Sequence, residues 1–136
     1  MSLKVLLVDD DKVALFLQRI IILESKFTSE VETFSNGMDT LAYLNTHYQD
    51  GQEFFIFLDI HMPGMNGWQL LEAINAQPYA DQVFVAMASS YSALPDLAPA
   101  HGFRQLVYTF EKPVTIEGCQ EIMELPALKK HFIITE

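Results

Sequence analysis

Four places in the sequence carry side chains able to act together on phosphate: the run Asp9-Asp10-Asp11, the single Asp59, the pair Ser89-Ser90, and Lys112. Each follows a short apolar stretch: VLLV before the first acids, FFIFL before Asp59, VFVAMA before the serines and LVYTF shortly before the lysine. Carboxylates brought together repel one another, and their crowding is costly unless a cation stands among them. A few hard oxygen ligands without a dedicated cage favour magnesium over zinc or calcium. Histidine and cysteine at zinc spacing are absent, since Cys119 is the sole cysteine. A lysine ammonium beside a metal-bound carboxylate can hold a phosphoryl group, and a serine hydroxyl can donate to another of its oxygens. A carboxylate, a divalent ion, a lysine and a hydroxyl are together the equipment for in-line phosphoryl transfer to aspartate.

The surrounding elements must deliver these groups to one edge. Leu3 to Val8 reads as a buried strand, and Lys12 to Glu24 as a helix. On that helix Val13, Phe16, Leu17, Ile20 and Leu23 form the expected core stripe, with Asp11 either its cap or a solvated residue. At roughly 100° per residue, Leu15 and Ile22 fall opposite the stripe and are expected at the surface. Glu30 to Phe34 alternates as an edge strand does, and after the turn Ser35-Asn36-Gly37 a second helix carries Met38, Leu41, Ala42 and Leu44. Phe54 to Leu58 is a fully apolar strand, and Trp68, Leu71 and Ile74 mark a helix that stops before Pro78. Val83 to Ala88 and Leu106 to Phe110 are the last strands, and Ile116 to Leu125 is the closing helix. Pro95 and Pro99 fall where a helix should join those two strands, so a short or distorted one is expected there. Apolar strands alternating with helices imply an α/β fold with a parallel sheet covered on both faces. Right-handed crossovers then bring every functional loop to the carboxyl edge of the sheet.

Bulk properties narrow the function. The 136 residues suit one domain spanning 1–136, with no output domain after the last helix. Eighteen acidic residues against eight basic ones leave a net charge of −10, which disfavours contact with nucleic acid or anionic membranes. The apolar runs are too short to span a bilayer. One unpaired cysteine and no signal peptide point to a cytoplasmic setting.

The order and content of four segments resemble the receiver domain of two-component response regulators along essentially the whole chain. These are VLLVDDD at 5–11, FLDIHMPGMNG at 57–67, AMASS at 86–90 and EKP at 111–113. The second is the most specific, and a lone acidic pair or Lys-Pro would mean little. The resemblance implies a flavodoxin-like three-layer sandwich with a five-stranded parallel sheet of order 2-1-3-4-5 and five helices. It makes Asp59 the phosphoacceptor, with Asp9, Asp10, Asp59 and the His61 backbone carbonyl as ligands of Mg2+, and Lys112 as the partner of the phosphate. It further implies a cis Lys112-Pro113 bond, a histidine kinase or histidine phosphotransfer protein as donor, slow autodephosphorylation, and a conformational change read by a downstream protein.

Several positions depart from the family pattern. The hydroxyl position falls on Ala88 or Ser89, with Ser89 preferred because alanine cannot hydrogen-bond phosphate, and Ser90 in reserve. The aromatic residue usual three positions before the lysine is replaced by Thr109, between Tyr108 and Phe110. Either the fifth strand is bulged or the switch works differently, and both rings simply packing on opposite faces of the strand is at least as good an expectation. Leu15 and Ile22, if exposed, could anchor a four-helix phosphotransfer partner, whereas cover by the last helix is the competing expectation. His61 is a solvated loop histidine or a modulator of water access, and His47, His101 and His131 read as surface residues.

The chief rival is a small phosphatase of the haloacid dehalogenase type with Asp9 as nucleophile, because Asp9-Asp10-Asp11 satisfies Asp-x-Asp. It lacks the acidic motif expected after the lysine and leaves Asp59 idle. A flavodoxin-like electron carrier would need a hydroxyl- and glycine-rich loop where three acids stand. A purely structural pseudo-receiver would not retain the acids and the lysine.

Overall fold

The computed structural model describes residues 3–89 and 103–132. Its elements run β1 (Lys4–Val8), α1 (Lys12–Glu24), β2 (Glu32–Phe34), α2 (Gly37–His47), β3 (Phe54–Asp59), α3 (Gly67–Asn75), β4 (Val83–Ser89), β5 (Leu106–Glu111) and α4 (Ile116–Met123). The strands form one sheet in the order β2-β1-β3-β4-β5, with every neighbouring pair parallel. This is the expected flavodoxin-like architecture. Four α-helices occur among the described residues. The fifth expected helix, with Pro95 and Pro99, lies outside them, as do Ser90 and His101.

Successive side chains of a strand point to opposite faces of the sheet, so the apolar runs feed two cores at once. Leu6, Val8, Phe54, Ile56, Leu58, Val83, Val85 and Met87 pack beneath Leu44 of α2 and Leu70, Leu71 and Ile74 of α3. Val5, Leu7, Phe55, Phe57 and Ala86 pack against Ile22 of α1 and Cys119 and Ile122 of α4. Phe54, Phe55 and Phe57 are wholly enclosed. Burying each such ring contributes ~1.5–3 kcal/mol.

Helix α1 turns a different face inward from the one its apolar spacing suggests. Ile22 is fully buried, Leu15 and Ile21 pack on the core, and Gln18 is only 2% exposed. Val13, Phe16, Leu17 and Ile20 face water, at 67%, 63%, 49% and 38% exposure, while Leu23 is half-buried. Both faces of this helix are apolar, and the buried one has a polar residue at its centre. The predicted stripe is therefore inverted: Leu15 and Ile22 belong to the core.

Strand β5 contains the irregularity that the two-ring pattern suggested. Val85 pairs with Leu106 but Ala86 pairs with Tyr108, so Val107 is an extra residue. Beyond it Tyr108 and Phe110 both lie on the α1–α4 side of the sheet, half-buried, and Thr109 is exposed, so the two rings share one face and do not pack on opposite faces as the alternative had it. The Tyr108 hydroxyl donates to Glu121 on α4, and Phe110 meets Phe57 edge-on at 6.4 Å.

Candidate functional site

Strands β1 and β3 run in register up to Val8 opposite Leu58, so Asp9 and Asp59 follow side by side at the carboxyl edge. Asp9 is 1% and Asp59 3% exposed, whereas Asp10 stands in solvent. One carboxylate oxygen from each of the three lies within 4.8 Å of the others. Asp11 turns away to cap α1, accepting from the Val13 and Ala14 N–H groups at 2.9 and 3.4 Å.

Lys112 enters from the loop after β5, and its bond to Pro113 is cis. Its Nζ lies 2.9 Å from Asp9 Oδ2 and 3.4 Å from Asp59 Oδ2. Its backbone N–H donates to the Ser89 carbonyl at 2.9 Å, tying this loop to the end of β4. Burial, and then the Asp9 charge, raise the Asp59 pKa to about 6, although the Lys112 ammonium and the His61 backbone N–H pull it down. Burial lowers the Lys112 pKa, but the two carboxylates outweigh that and raise it overall.

The pocket has oxygen to spare. Asp59 Oδ1 is buried and has no hydrogen-bond partner among the described residues. An orphaned carboxylate oxygen amid two further acids, against one ammonium, suits a hard divalent cation such as Mg2+.

The remaining predicted residues sit around this centre. Ser89 is buried at the end of β4, one residue beyond Ala88, which pairs with Asp59. His61 is exposed in the loop after β3, between the buried Ile60 and Met62. That loop turns at Gly64, whose φ of +76° favours glycine. Asn66 and Gln69 close a capping box that starts α3. His47 is exposed and stacked on Tyr43, as expected of a surface residue. His131 differs from expectation: its Nε2 lies 2.7 Å from Glu53 at the opposite end of the sheet, and the ring is largely covered.

Two further residues bound the pocket whose part in it the sequence does not display. Gly67 packs against the exit of β3, and Gln18 reaches Asp9 from α1. The glycine is part of the most specific segment without a chemical reason visible there, and Gln18 is hidden by the misleading stripe of its helix.

Residues 5–124 match the family model described as response regulator receiver domain. The regulatory protein VanRB of Enterococcus faecalis is 38% identical over 77 residues, 57% of this chain and 32% of that protein, so the match spans about a third of this relative. Among solved structures, a two-component response regulator from Cytophaga hutchinsonii is 31% identical, with a TM-score of 0.79 over 89% of this chain and 93% of its own. A response regulator receiver protein from Dyadobacter fermentans is 25% identical, with a TM-score of 0.80 over 98% and 100%.

Proposed function

Because this chain belongs to the response regulator receiver domain family, we propose that it accepts a phosphoryl group on Asp59 from a phosphohistidine and signals through the resulting change of shape. The observation that carries this is the pairing of a buried, partly unsatisfied Asp59 with a second buried carboxylate and a lysine ammonium within 3.4 Å. In the transfer, an Asp59 oxygen forms a bond to phosphorus as the bond from phosphorus to the donor imidazole breaks. Asp9, Asp10, Asp59 and the His61 carbonyl would hold Mg2+, which supplies charge neutralisation for the phosphoryl oxygens. Lys112 pairs with another oxygen, and Ser89 offers a hydroxyl from the end of β4. Catalysis is then largely the placing of charge around the attacking and leaving atoms. Hydrolysis of the aspartyl phosphate in the same pocket would end the signal.

The donor is a histidine kinase or histidine phosphotransfer protein, and its docking surface is the outer face of α1. Val13, Phe16, Leu17 and Ile20 form an exposed apolar ridge that starts next to the acidic pocket. This ridge takes the part first assigned to Leu15 and Ile22, which are in the core. A downstream protein reads the phosphorylated form, and the setting is cytoplasmic. Among the described residues no helix is long and apolar enough to cross a membrane.

The phosphatase alternative is not favoured. Asp9, its nucleophile, is already engaged by Lys112 and by the Asp11 N–H at 3.0 Å. Incubation with acetyl phosphate and MgCl2 tests the assignment. Intact-mass measurement should show one added phosphoryl group, lost in Asp59→Asn and without magnesium; label retained in Asp59→Asn would overturn it.

A further inference from the structure

Gln18 is a buried amide on the inward face of a helix whose outward face is apolar. Its Nε2 donates to Asp9 Oδ2 at 3.4 Å, and its Oε1 accepts from the Val114 N–H at 3.3 Å. Val114 is the second residue after Lys112, just past the cis bond. One side chain thus joins α1 to the acidic strand end and to the loop that carries the lysine. The span demands a group that donates at one end and accepts at the other. Among side chains of this length only the amide does so, since a carboxylate cannot donate when ionised and an ammonium cannot accept.

Asp9 is held from three directions. Its Oδ1 accepts from the Asp11 N–H, and its Oδ2 is shared between the Lys112 ammonium and the Gln18 amide. A divalent ion in the pocket would draw Lys112 away from the carboxylates by repulsion, leaving the amide as the side-chain restraint on Asp9. A polar group inside an otherwise apolar helix face also costs folding energy unless it is fully bonded. Both ends of Gln18 are bonded, and both bonds lead to the pocket.

We propose that Gln18 is a positioning residue: it aims Asp9 at the divalent ion and fixes the backbone behind Lys112. This rests on the magnesium-dependent receiver function proposed for the same site. Groups that orient a metal ligand from behind commonly change affinity 10- to 100-fold when removed.

The experiment is calorimetric titration of MgCl2 into the unphosphorylated chain, for wild type, Gln18→Met, Asp9→Asn and the double variant. Gln18→Met should weaken Mg2+ binding about tenfold. In the Asp9→Asn background the same substitution should change affinity less than twofold, because the effect runs through Asp9. An undiminished loss in that background would mean general packing and would overturn the role. So would a Gln18→Met protein within twofold of wild type. If Gln18→Met fails to fold, Gln18→Asn, whose amide is one methylene too short to reach both partners, is measured the same way. Wild-type protein that neither binds Mg2+ nor takes phosphate on Asp59 overturns the receiver function instead, so the two failures are distinguishable.

Discussion

A Cβ placed on Gly67 would lie 2.6 Å from the Asp59 carbonyl oxygen and 2.9 Å from Ile60 Cα. Helix α3 therefore begins in contact with the backbone at the end of β3, and the Gly67 N–H donates to the Ile60 carbonyl at 2.8 Å. Gly67→Ala must push the two apart. The variant should lose ~1–3 kcal/mol of stability, as overpacked cores do. Its labelling by acetyl phosphate should slow at least about tenfold through displacement of Asp59. Urea unfolding and the labelling rate check both; a variant with wild-type values would show that the backbone yields without cost.

The crowding of Asp59 and Asp9 makes the metal-free fold pay for its pocket. Asp59 titrates near 6 in the folded chain against about 3.9 unfolded. The folded state keeps the proton longer, so this group's contribution to stability is fully present below about pH 4. It is lost as pH rises through 6. Asp59→Asn should accordingly stabilise the metal-free protein at pH 7.5, by on the order of 1–3 kcal/mol. Adding MgCl2 should raise the melting temperature of wild type more than that of the variant. A variant less stable than wild type without metal would contradict this.

Exposure of Phe16 and Leu17 permits a test of donor docking that spares the fold. Phe16→Glu with Leu17→Glu should slow transfer from a phosphorylated histidine donor at least about tenfold, equivalent to ~1.4 kcal/mol. Labelling by acetyl phosphate should stay within about twofold, since neither residue touches the pocket. Equal slowing of both reactions would remove α1 as the docking face.

Glu53 ties the start of β3 to the turn at 129–131, accepting from Lys130 at 3.0 Å and meeting His131 at 2.7 Å. Burial raises its pKa, but hydrogen bonds from His131 and Lys130 outweigh this and hold it below the ordinary value. Its stabilisation is therefore present above the unfolded carboxyl range near pH 4.3 and lost as pH falls through the lower folded pKa. Glu53→Gln should cost about 0.5–1 kcal/mol at pH 7, and the difference from wild type should shrink towards pH 3. A difference independent of pH would assign the effect to shape and not to charge.

The sheet and its acidic edge were legible because the relevant signals are local. An apolar run ending in aspartate is a buried strand reaching a loop, and Val8-Asp9 and Leu58-Asp59 both obey it. The inward face of α1 was not legible, because the helix carries apolar residues on both its inward and outward faces and its buried side is centred on Gln18. Gln18 is satisfied in the core by partners more than eight positions away, Asp9 and Val114. The same holds for His131, whose partner Glu53 is 78 residues distant. The bulge at Val107 left a trace, since Tyr108 and Phe110 flank the position where one ring was expected. Alternation alone cannot tell a bulged strand from a regular one with different facing.

The ridge of Val13, Phe16, Leu17 and Ile20 also governs how copies of the chain behave in solution. A sticky strip on a body of charge −10 is kept from its neighbours by long-range repulsion, and that repulsion shortens to about 8 Å at physiological ionic strength. Dilute buffer should favour dispersed molecules, and concentrated salt should bring the strips together. The exposed apolar ridge thus sets the colloidal limits of the protein.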